Sequence, residues 1–181
     1  MYTLDEEIIH FVFAAFHGRE RKKEKIAMAF HSIMVGNMLR NAGYNDTIVN
    51  IGYLHDILED TDYKYEDLKE KFGKEIADGV LRVTDENATL DWRERKSRFI
   101  DKVKKYDNDT IIVELVDKLQ NLLSDYHLFI KNGKESLGTE KSGYENFKWY
   151  YKEFQKLFNE RLEESELLKR YNEIMNIYFE E

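Results

Sequence analysis

The segment IGYLHDILEDT, residues 51–61, places ionisable side chains inside a run of otherwise apolar residues. At about 100° per residue of an α-helix, the ionisable side chains fall in one arc of roughly 140° and the apolar ones in an adjacent arc. The first arc holds His55, Asp56, Glu59 and Asp60, and the second holds Ile51, Leu54 and Leu58. Half-buried carboxylates beside an imidazole cost free energy unless they are paired or bound to a cation. The segment alone therefore has two interpretations, a metal site or a solvated helix face next to a core stripe.

The composition limits the fold and the ligands available to a metal. The chain has 181 residues and contains neither proline nor cysteine. Average usage would give about nine prolines, so their absence favours long uninterrupted helices. Without cysteine the chain forms no disulfides and offers no thiolate ligands, which leaves His, Asp and Glu to hold any metal.

The charge and the hydropathy pattern indicate the kind of partner. A net charge of -8 argues against binding a nucleic-acid polymer through a large basic surface, although a small anion in a local basic pocket is compatible with it. The first seven residues lack the basic and apolar regions of a signal peptide. No apolar run approaches the roughly 18 residues of a membrane span. We therefore expect a cytoplasmic protein without a membrane partner.

Apolar spacing of three and four residues predicts helices along the chain. The predicted helices cover residues 4–16, 26–42, 47–60, 65–72, 74–83 and 92–106, then a nearly apolar helix from about 109, an aromatic helix around 147–158 and a last helix over 165–179. Asn45-Asp46 and Asn108-Asp109 are predicted N-caps, and residues 131–143 a Gly-, Ser- and Lys-rich loop. No strand pattern of useful length is present. We predict an all-α fold and one domain over residues 1–181.

A basic segment follows the first predicted helix. Five of the seven residues 19–25 are cationic, and His17 lies two residues before them. In an acidic chain this segment is either a phosphate-binding lip or a solvated helix junction. The residues alone leave both interpretations open.

Further ionisable residues occur in apolar helices elsewhere in the sequence. His31 lies within the apolar pattern of residues 26–42, and Asp117 stands four residues before Asn121 on one face of the most apolar helix. An unpaired buried carboxylate would shift its pKa upward and lose its charge, whereas a bound cation would keep it ionised. Together with His55 and Asp56, these residues form a set of two imidazoles and two carboxylates, suited to Mn²⁺, Mg²⁺, Fe²⁺ or Zn²⁺ with positions left for water. The combination favours the metal-site interpretation.

The order His31, His55-Asp56, Asp117 resembles the HD-domain metal-dependent phosphohydrolases. Residues 55–61 resemble the His-Asp-x-x-Glu-Asp-Thr signature of the RelA/SpoT-type hydrolase domain and its small stand-alone relatives. Residues 65–84 and 116–121 also resemble segments of that domain. The resemblance covers about residues 10–125, and we expect the helices of residues 144–181 to pack on this core. It implies an HD-type helical bundle with the metal site between central helices.

The resemblance also implies an activity and roles for single residues. Members of this family remove pyrophosphate from the 3′ position of guanosine tetra- or pentaphosphate, so a small nucleotide substrate is expected. The implied metal ligands are His31, His55, Asp56 and Asp117, with Mn²⁺ as the expected ion and Mg²⁺, Fe²⁺ or Zn²⁺ as alternatives. Glu59 and Asp60 would position or deprotonate the attacking water, and Lys22, Lys23, His17 and Asn121 would contact the nucleotide. In a helix, Glu59 and Asp60 stand four residues after His55 and Asp56 and so project beside the metal.

Several residues depart from the family pattern. Lys22 stands where an Arg is usual and lacks its bidentate fork, Ser32 replaces a Pro, and Lys118 and Gln120 replace an Arg and a His. These changes spare the implied metal ligands and concern the periphery. Two other functions therefore stay open: an HD phosphohydrolase of another nucleotide or phosphorylated metabolite, and a non-catalytic alarmone sensor. The Glu59-Asp60 pair argues against the sensor, because a pure binder has little need of water-activating acids.

Overall fold

The computed structural model describes residues 4–21, 23, 25–85, 90–138 and 142–179. Within these residues all regular elements are helices, and the prediction of an all-α fold is confirmed. The α-helices are α1 (Leu4–Ala15), α2 (Ala29–Asn41), α3 (Asp46–Leu54), α4 (Ile57–Asp60), α5 (Tyr65–Phe72), α6 (Lys74–Val83), α7 (Trp92–Val103), α8 (Asn108–Asn132), α9 (Gly143–Arg161) and α10 (Glu166–Phe179). A short 3-10 helix, Gly133–Ser136, follows α8. No helix in the described part of the chain is long and apolar enough to cross a membrane.

The chain forms two compact units, residues 1–84 and 85–181. The first contains α1 to α6, and the second contains α7 to α10. A single domain over the whole chain stays a prediction.

In the first unit, α2 and α3 pack closely because each carries a glycine where they cross. A Cβ atom at Gly36 of α2 would lie 2.1 Å from the ring of Tyr53, and one at Gly52 of α3 would lie 2.4 Å from Leu39 Cδ1. The atoms around both positions are fully or almost fully buried. Close-packed interiors accommodate added methyl groups poorly, so glycine at these positions permits the short separation of α2 and α3.

The start of α2 differs from its prediction. The helix begins at Ala29 instead of residue 26, because the preceding chain pairs with itself. Glu20 and Ala27 form an isolated antiparallel bridge, and the amide of Met28 donates to the carbonyl of Arg19 at 2.9 Å. The described residues at the two ends of the basic segment therefore pair with each other in the connection between α1 and α2.

The N-cap prediction is confirmed for α3 and wrong for α8. Asn45 caps α3 as expected, its side chain accepting from the amide of Ile48 at 3.0 Å. The cap of α8 is Asp107, whose side chain accepts from the amide of Thr110 at 2.9 Å, and not Asn108-Asp109. The predicted loop 131–143 is also partly wrong, because α8 continues to Asn132 and the 3-10 helix follows.

The second unit has an aromatic core. α8 packs against α9 and α10, and α7 packs against α9. The buried rings of this core are Phe99, Phe147, Tyr150, Tyr151, Phe154, Phe158, Tyr171, Tyr178 and Phe179. Tyr171 donates its hydroxyl to the carbonyl of Tyr151 at 3.0 Å, and Tyr178 donates to the carbonyl of Leu122 at 2.6 Å. These hydrogen bonds satisfy the polar ends of otherwise apolar side chains.

Candidate metal centre

Two buried imidazoles face each other in the first unit. His31 of α2 and His55 at the end of α3 are 3% and 4% exposed, and their Nε2 atoms are 3.1 Å apart. The ring centroids are separated by 4.9 Å, with the planes at 73°. The crossing of α2 and α3 at Gly36 and Gly52 brings these two rings together.

A backbone carbonyl determines which nitrogen of His55 faces His31. The Nδ1 atom of His55 lies 2.8 Å from the carbonyl oxygen of Gly52. A carbonyl accepts but does not donate, so Nδ1 carries the proton and donates it. In the neutral ring, Nε2 then holds the lone pair that is directed towards His31, which is the arrangement of a metal-ligating histidine.

Asp56 meets the imidazoles because the helix is interrupted. Its two carboxylate oxygens lie 3.1 Å from His55 Nε2 and 3.6 Å from His31 Nε2. Neighbouring side chains of a regular helix point about 100° apart and do not face each other. Asp56 has a ψ of -4°, and a turn at residues 55–56 separates α3 from α4. The prediction of one continuous helix over residues 47–60 is therefore wrong, and the interruption is what lets adjacent residues converge.

The donor set fits a small divalent cation. Ligands of such an ion lie about 2.0–2.2 Å from it, so two neighbouring ligands are separated by roughly 3 Å. The two Nε2 atoms are 3.1 Å apart, Asp56 Oδ1 lies 3.1 Å from His55 Nε2, and Asp56 Oδ2 lies 3.6 Å from His31 Nε2. Mixed imidazole and carboxylate donors suit Mn²⁺, Fe²⁺ and Zn²⁺. These residues are thus able to hold a divalent metal.

Of the two acids that follow the His-Asp pair, Glu59 is more accessible than the candidate metal donors. Glu59 is exposed and Asp60 half-buried, both on the single turn of α4. Thr61 ends this turn: its hydroxyl donates to the carbonyl of Ile57 at 2.6 Å and accepts from the amide of Tyr63 at 3.2 Å. The threonine of the signature therefore has a structural role, which spacing along the sequence did not indicate.

Asp117 lies on α8 in the second unit and is held at both oxygens. Asn121 donates its amide to Oδ1 at 2.6 Å, and the ammonium of Lys118 contacts Oδ2. Asp117 is 8% exposed. Asp117 and Asn121 share one face of α8 as predicted, and in this structure the amide of Asn121 donates to the carboxylate.

Lys118 is a buried cation that sequence reasoning missed. Its ammonium is 2.9 Å from a carboxylate oxygen of Glu114, and both residues are at most 6% exposed. Burial alone would lower the pKa of Lys118, but the charges of Asp117 and Glu114 raise this pKa well above its usual range. The four-residue spacing of Glu114 and Lys118 within an apolar helix was the available signal.

The predicted nucleotide contacts are only partly described. Lys22 lies outside the described residues, and Lys23 is half-buried. His17 is exposed and lines a surface cavity of about 260 Å³ together with Phe13, Phe16 and Arg19. Arg19 also lines a second cavity beside Thr61 and reaches Asp62 at 3.8 Å. Arg19 of the basic segment therefore lies beside the end of the His-Asp segment within the first unit.

Two of the departures from the family pattern are internal. Lys118 pairs with Glu114 and Asp117, and Gln120, which is 4% exposed, donates to Ser124 Oγ at 2.8 Å. Both side chains are buried, and a role at the substrate periphery for Lys118, Gln120 or Lys22 stays a prediction.

Comparison with known proteins places the chain in a family. The model of the HD domain matches residues 11–131. The guanosine-3′,5′-bis(diphosphate) 3′-pyrophosphohydrolase MESH1 of Drosophila melanogaster is 32% identical over 115 residues, which are 61% of this chain and 64% of that protein. A probable guanosine-3′,5′-bis(diphosphate) 3′-pyrophosphohydrolase of Synechocystis sp. is 30% identical over 111 residues, 59% of this chain and 15% of that protein. The chain thus spans less than two thirds of each of these relatives.

Solved structures agree with this assignment. A Listeria monocytogenes protein superimposes with a TM-score of 0.75 at 30% identity, covering 83% of this chain and 96% of that chain. A metazoan SpoT orthologue that hydrolyses ppGpp has the same fold, with a TM-score of 0.77 at 24% identity over 98% of this chain and 97% of that one. The family match over residues 11–131 and the converging histidines and aspartate have one explanation: the chain belongs to the HD-domain family.

Proposed function

We propose that this protein is a metal-dependent pyrophosphohydrolase that removes the 3′-pyrophosphate from guanosine tetra- or pentaphosphate. The observation that carries the proposal is the convergence of His31, His55 and Asp56 within 3.6 Å in a chain of the HD-domain family. We infer the substrate from the fly and cyanobacterial relatives, which are named as guanosine-3′,5′-bis(diphosphate) 3′-pyrophosphohydrolases.

The proposed ligands are His31, His55, Asp56 and Asp117, and the proposed ion is Mn²⁺. The first three present their donors to one another in the first unit. Asp117 is included as the fourth ligand because the order His31, His55-Asp56, Asp117 along the chain resembles that of the family. When bound, the divalent ion lowers the pKa of a coordinated water and offsets charge on the phosphorus centre under attack.

In this proposal Glu59, Asp60 and His55 have separate roles. A carboxylate oxygen of Glu59 takes the proton of the attacking water, and Asp60 orients that water. The exposure of Glu59 suits this role, since its carboxylate is open to solvent and substrate. His55 keeps its proton on Nδ1, on the Gly52 carbonyl, and so presents Nε2 unprotonated.

Lysines of the basic segment, together with His17 before it, bind the substrate phosphates in this proposal. Lys22, Lys23 and His17 come from the segment whose residue Arg19 reaches Asp62 beside Thr61. Asn121 contacts the nucleotide from α8. A local group of cations in a chain of net charge -8 is consistent with a small, highly charged anion as the ligand.

The second candidate is a phosphohydrolase acting on another nucleotide. Lys22 favours it, because a lysine in place of arginine loses bidentate recognition of a phosphate and stacking on a base. The two candidates share the metal donors and the Glu59-Asp60 pair and differ only in substrate.

The test is product analysis after incubating the protein with Mn²⁺ and guanosine tetraphosphate. The proposal predicts guanosine diphosphate and pyrophosphate in equal amounts. Turnover of other nucleotides in a substrate panel without alarmone hydrolysis would establish the second candidate. Micromolar or tighter alarmone binding without turnover would instead indicate a sensor.

A further inference from the structure

A lysine lies between two carboxylates in the interior of the second unit. On α8, Lys118 follows Asp117 directly and stands four residues after Glu114. Its ammonium contacts Asp117 Oδ2 and lies 2.9 Å from Glu114 Oε2. The side chains of Lys118, Glu114 and Asp117 are 8%, 2% and 11% exposed.

Aromatic rings surround the same ammonium. Its distances to the ring centroids of Phe154, Phe99 and Tyr150 are 5.2, 5.5 and 5.7 Å. Ring faces within about 6 Å attract a cation, and they also leave a flexible side chain little room to move. Lys118 is thus fixed by two carboxylates and three rings.

The charges of this group do not cancel. Glu114 and Asp117 carry two negative charges and Lys118 one positive charge, so one negative charge remains. A positively charged donor beside a metal ligand would by itself repel the metal cation and weaken its binding. Here the negative charge of Glu114 offsets the positive charge of Lys118, so Lys118 can donate a hydrogen bond to Asp117 while the group keeps its net negative charge.

The carboxylate of Asp117 is also fixed in orientation. Lys118 occupies Oδ2 and Asn121 donates to Oδ1, so both oxygens have a donor on α8. Hydrogen bonds to a ligating carboxylate orient it and contribute to metal affinity. The group therefore has the features of a support for a metal ligand.

We propose that Lys118, anchored and charge-balanced by Glu114, is a positioning residue that holds Asp117 in the orientation needed to bind the divalent metal. The proposal rests on the proposed function, in which Asp117 is a ligand. Lys118 itself contacts neither metal nor substrate.

A positioning role and a purely electrostatic role for Lys118 predict opposite changes in metal affinity when the lysine is replaced. If Lys118 acted only through its charge, replacing it with a neutral residue would remove a repelling cation and tighten metal binding. If it positions Asp117, the same replacement weakens metal binding. The double variant Glu114→Gln/Lys118→Met isolates positioning, because it removes one charge of each sign and leaves the net charge of the group unchanged.

The experiment measures Mn²⁺ binding to metal-free protein without substrate, by titration calorimetry. Wild type, Lys118→Met, Glu114→Gln/Lys118→Met and the control Lys131→Met are compared, with thermal melting of each metal-free protein. Lys131 is an exposed lysine on the same helix. We expect the dissociation constant to rise about 10- to 100-fold in the double variant and to stay unchanged in the control.

The outcomes separate this proposal from the proposed function. Mn²⁺ binding by the folded double variant as tight as in wild type would overturn the positioning role alone, as would tighter binding by Lys118→Met. A lower melting temperature with unchanged Mn²⁺ affinity would show a role in packing only, which also overturns it. A wild-type protein that does not bind any divalent metal would remove the proposed function itself.

Discussion

The Nδ1 atom of His55 donates to the carbonyl oxygen of Gly52 at 2.8 Å, so the residue that allows α3 to pack on α2 also orients a proposed metal ligand. Without a side chain, Gly52 lets Leu39 approach, and through its carbonyl it selects the tautomer of His55. Gly52 therefore contributes both to the packing of α2 on α3 and to the orientation of His55 in the candidate centre.

Gly36→Ala should destabilise the protein. The added Cβ would lie 2.1 Å from the ring of Tyr53, which is 1% exposed, so the ring or the helix would have to shift. Overpacking of this kind costs about 1–3 kcal/mol. For a chain of this size we expect Tm to fall by roughly 2–10 °C in thermal unfolding followed by circular dichroism. Asn41→Ala, at the exposed end of α2, is the control, and a Tm equal to that of wild type in Gly36→Ala would show that the helices separate freely.

Asp117→Ala should abolish binding of the divalent metal. The substitution removes one of the four proposed ligands and leaves Lys118 with Glu114 alone. Metal content after dialysis against Mn²⁺ measures the effect, and Asp109→Ala, an exposed acid on the same helix, is the control. Retention of one metal per chain in Asp117→Ala would remove this residue from the ligand set.

Glu59→Ala should retain the metal and lose catalysis. Its carboxylate is exposed on α4, whereas the proposed metal ligands are buried or half-buried, so we expect its loss to leave those ligands in place. Loss of a general base typically slows turnover by about 10²-fold or more. Single-turnover rates and metal content are measured together, with Glu70→Ala as the control. Equal loss of metal in Glu59→Ala and Asp117→Ala would contradict the division of roles.

The stability of the second unit should fall in strongly alkaline solution. Burial raises the pKa of Tyr171, and the carboxylates raise the pKa of Lys118 against the effect of burial, in both cases well above the usual range. A group whose pKa is higher in the folded state stabilises that state fully below its unfolded pKa, here near 10.0 and 10.5, and loses this contribution as pH rises through the folded pKa. Urea unfolding as a function of pH measures the decline. Tyr171→Phe should make it shallower, whereas Tyr126→Phe, at an exposed position, should not.

Much of the candidate centre could be predicted from residue types and spacing. His31 and His55 stand in apolar helical patterns, and the structure brings their rings together. Asp56 was predicted as their partner, but on a continuous helix its side chain would have pointed away from His55. Periodicity reports which residues share a face and carries no information on a single ψ of -4°, so the interruption at residues 55–56 could not be predicted.

The environment of Asp117 could not be predicted for another reason. The apolar pattern of α8 indicates that the carboxylate is buried, and burial requires a partner. It does not indicate which cation is the partner, because Lys118 also fits a solvated position beside Asp117. Only the packing of Phe99, Tyr150 and Phe154 around the ammonium determines that the lysine lies inside.

The most direct test of the account is metal-dependent pyrophosphate release by protein stripped of metal with a chelator. With guanosine tetraphosphate as substrate, we predict no release by the metal-free protein and a rate that rises with added Mn²⁺ up to one equivalent per chain. His55→Ala should give no release at any Mn²⁺ concentration. Pyrophosphate release that survives removal of the metal, or its absence with every divalent metal, would contradict the account.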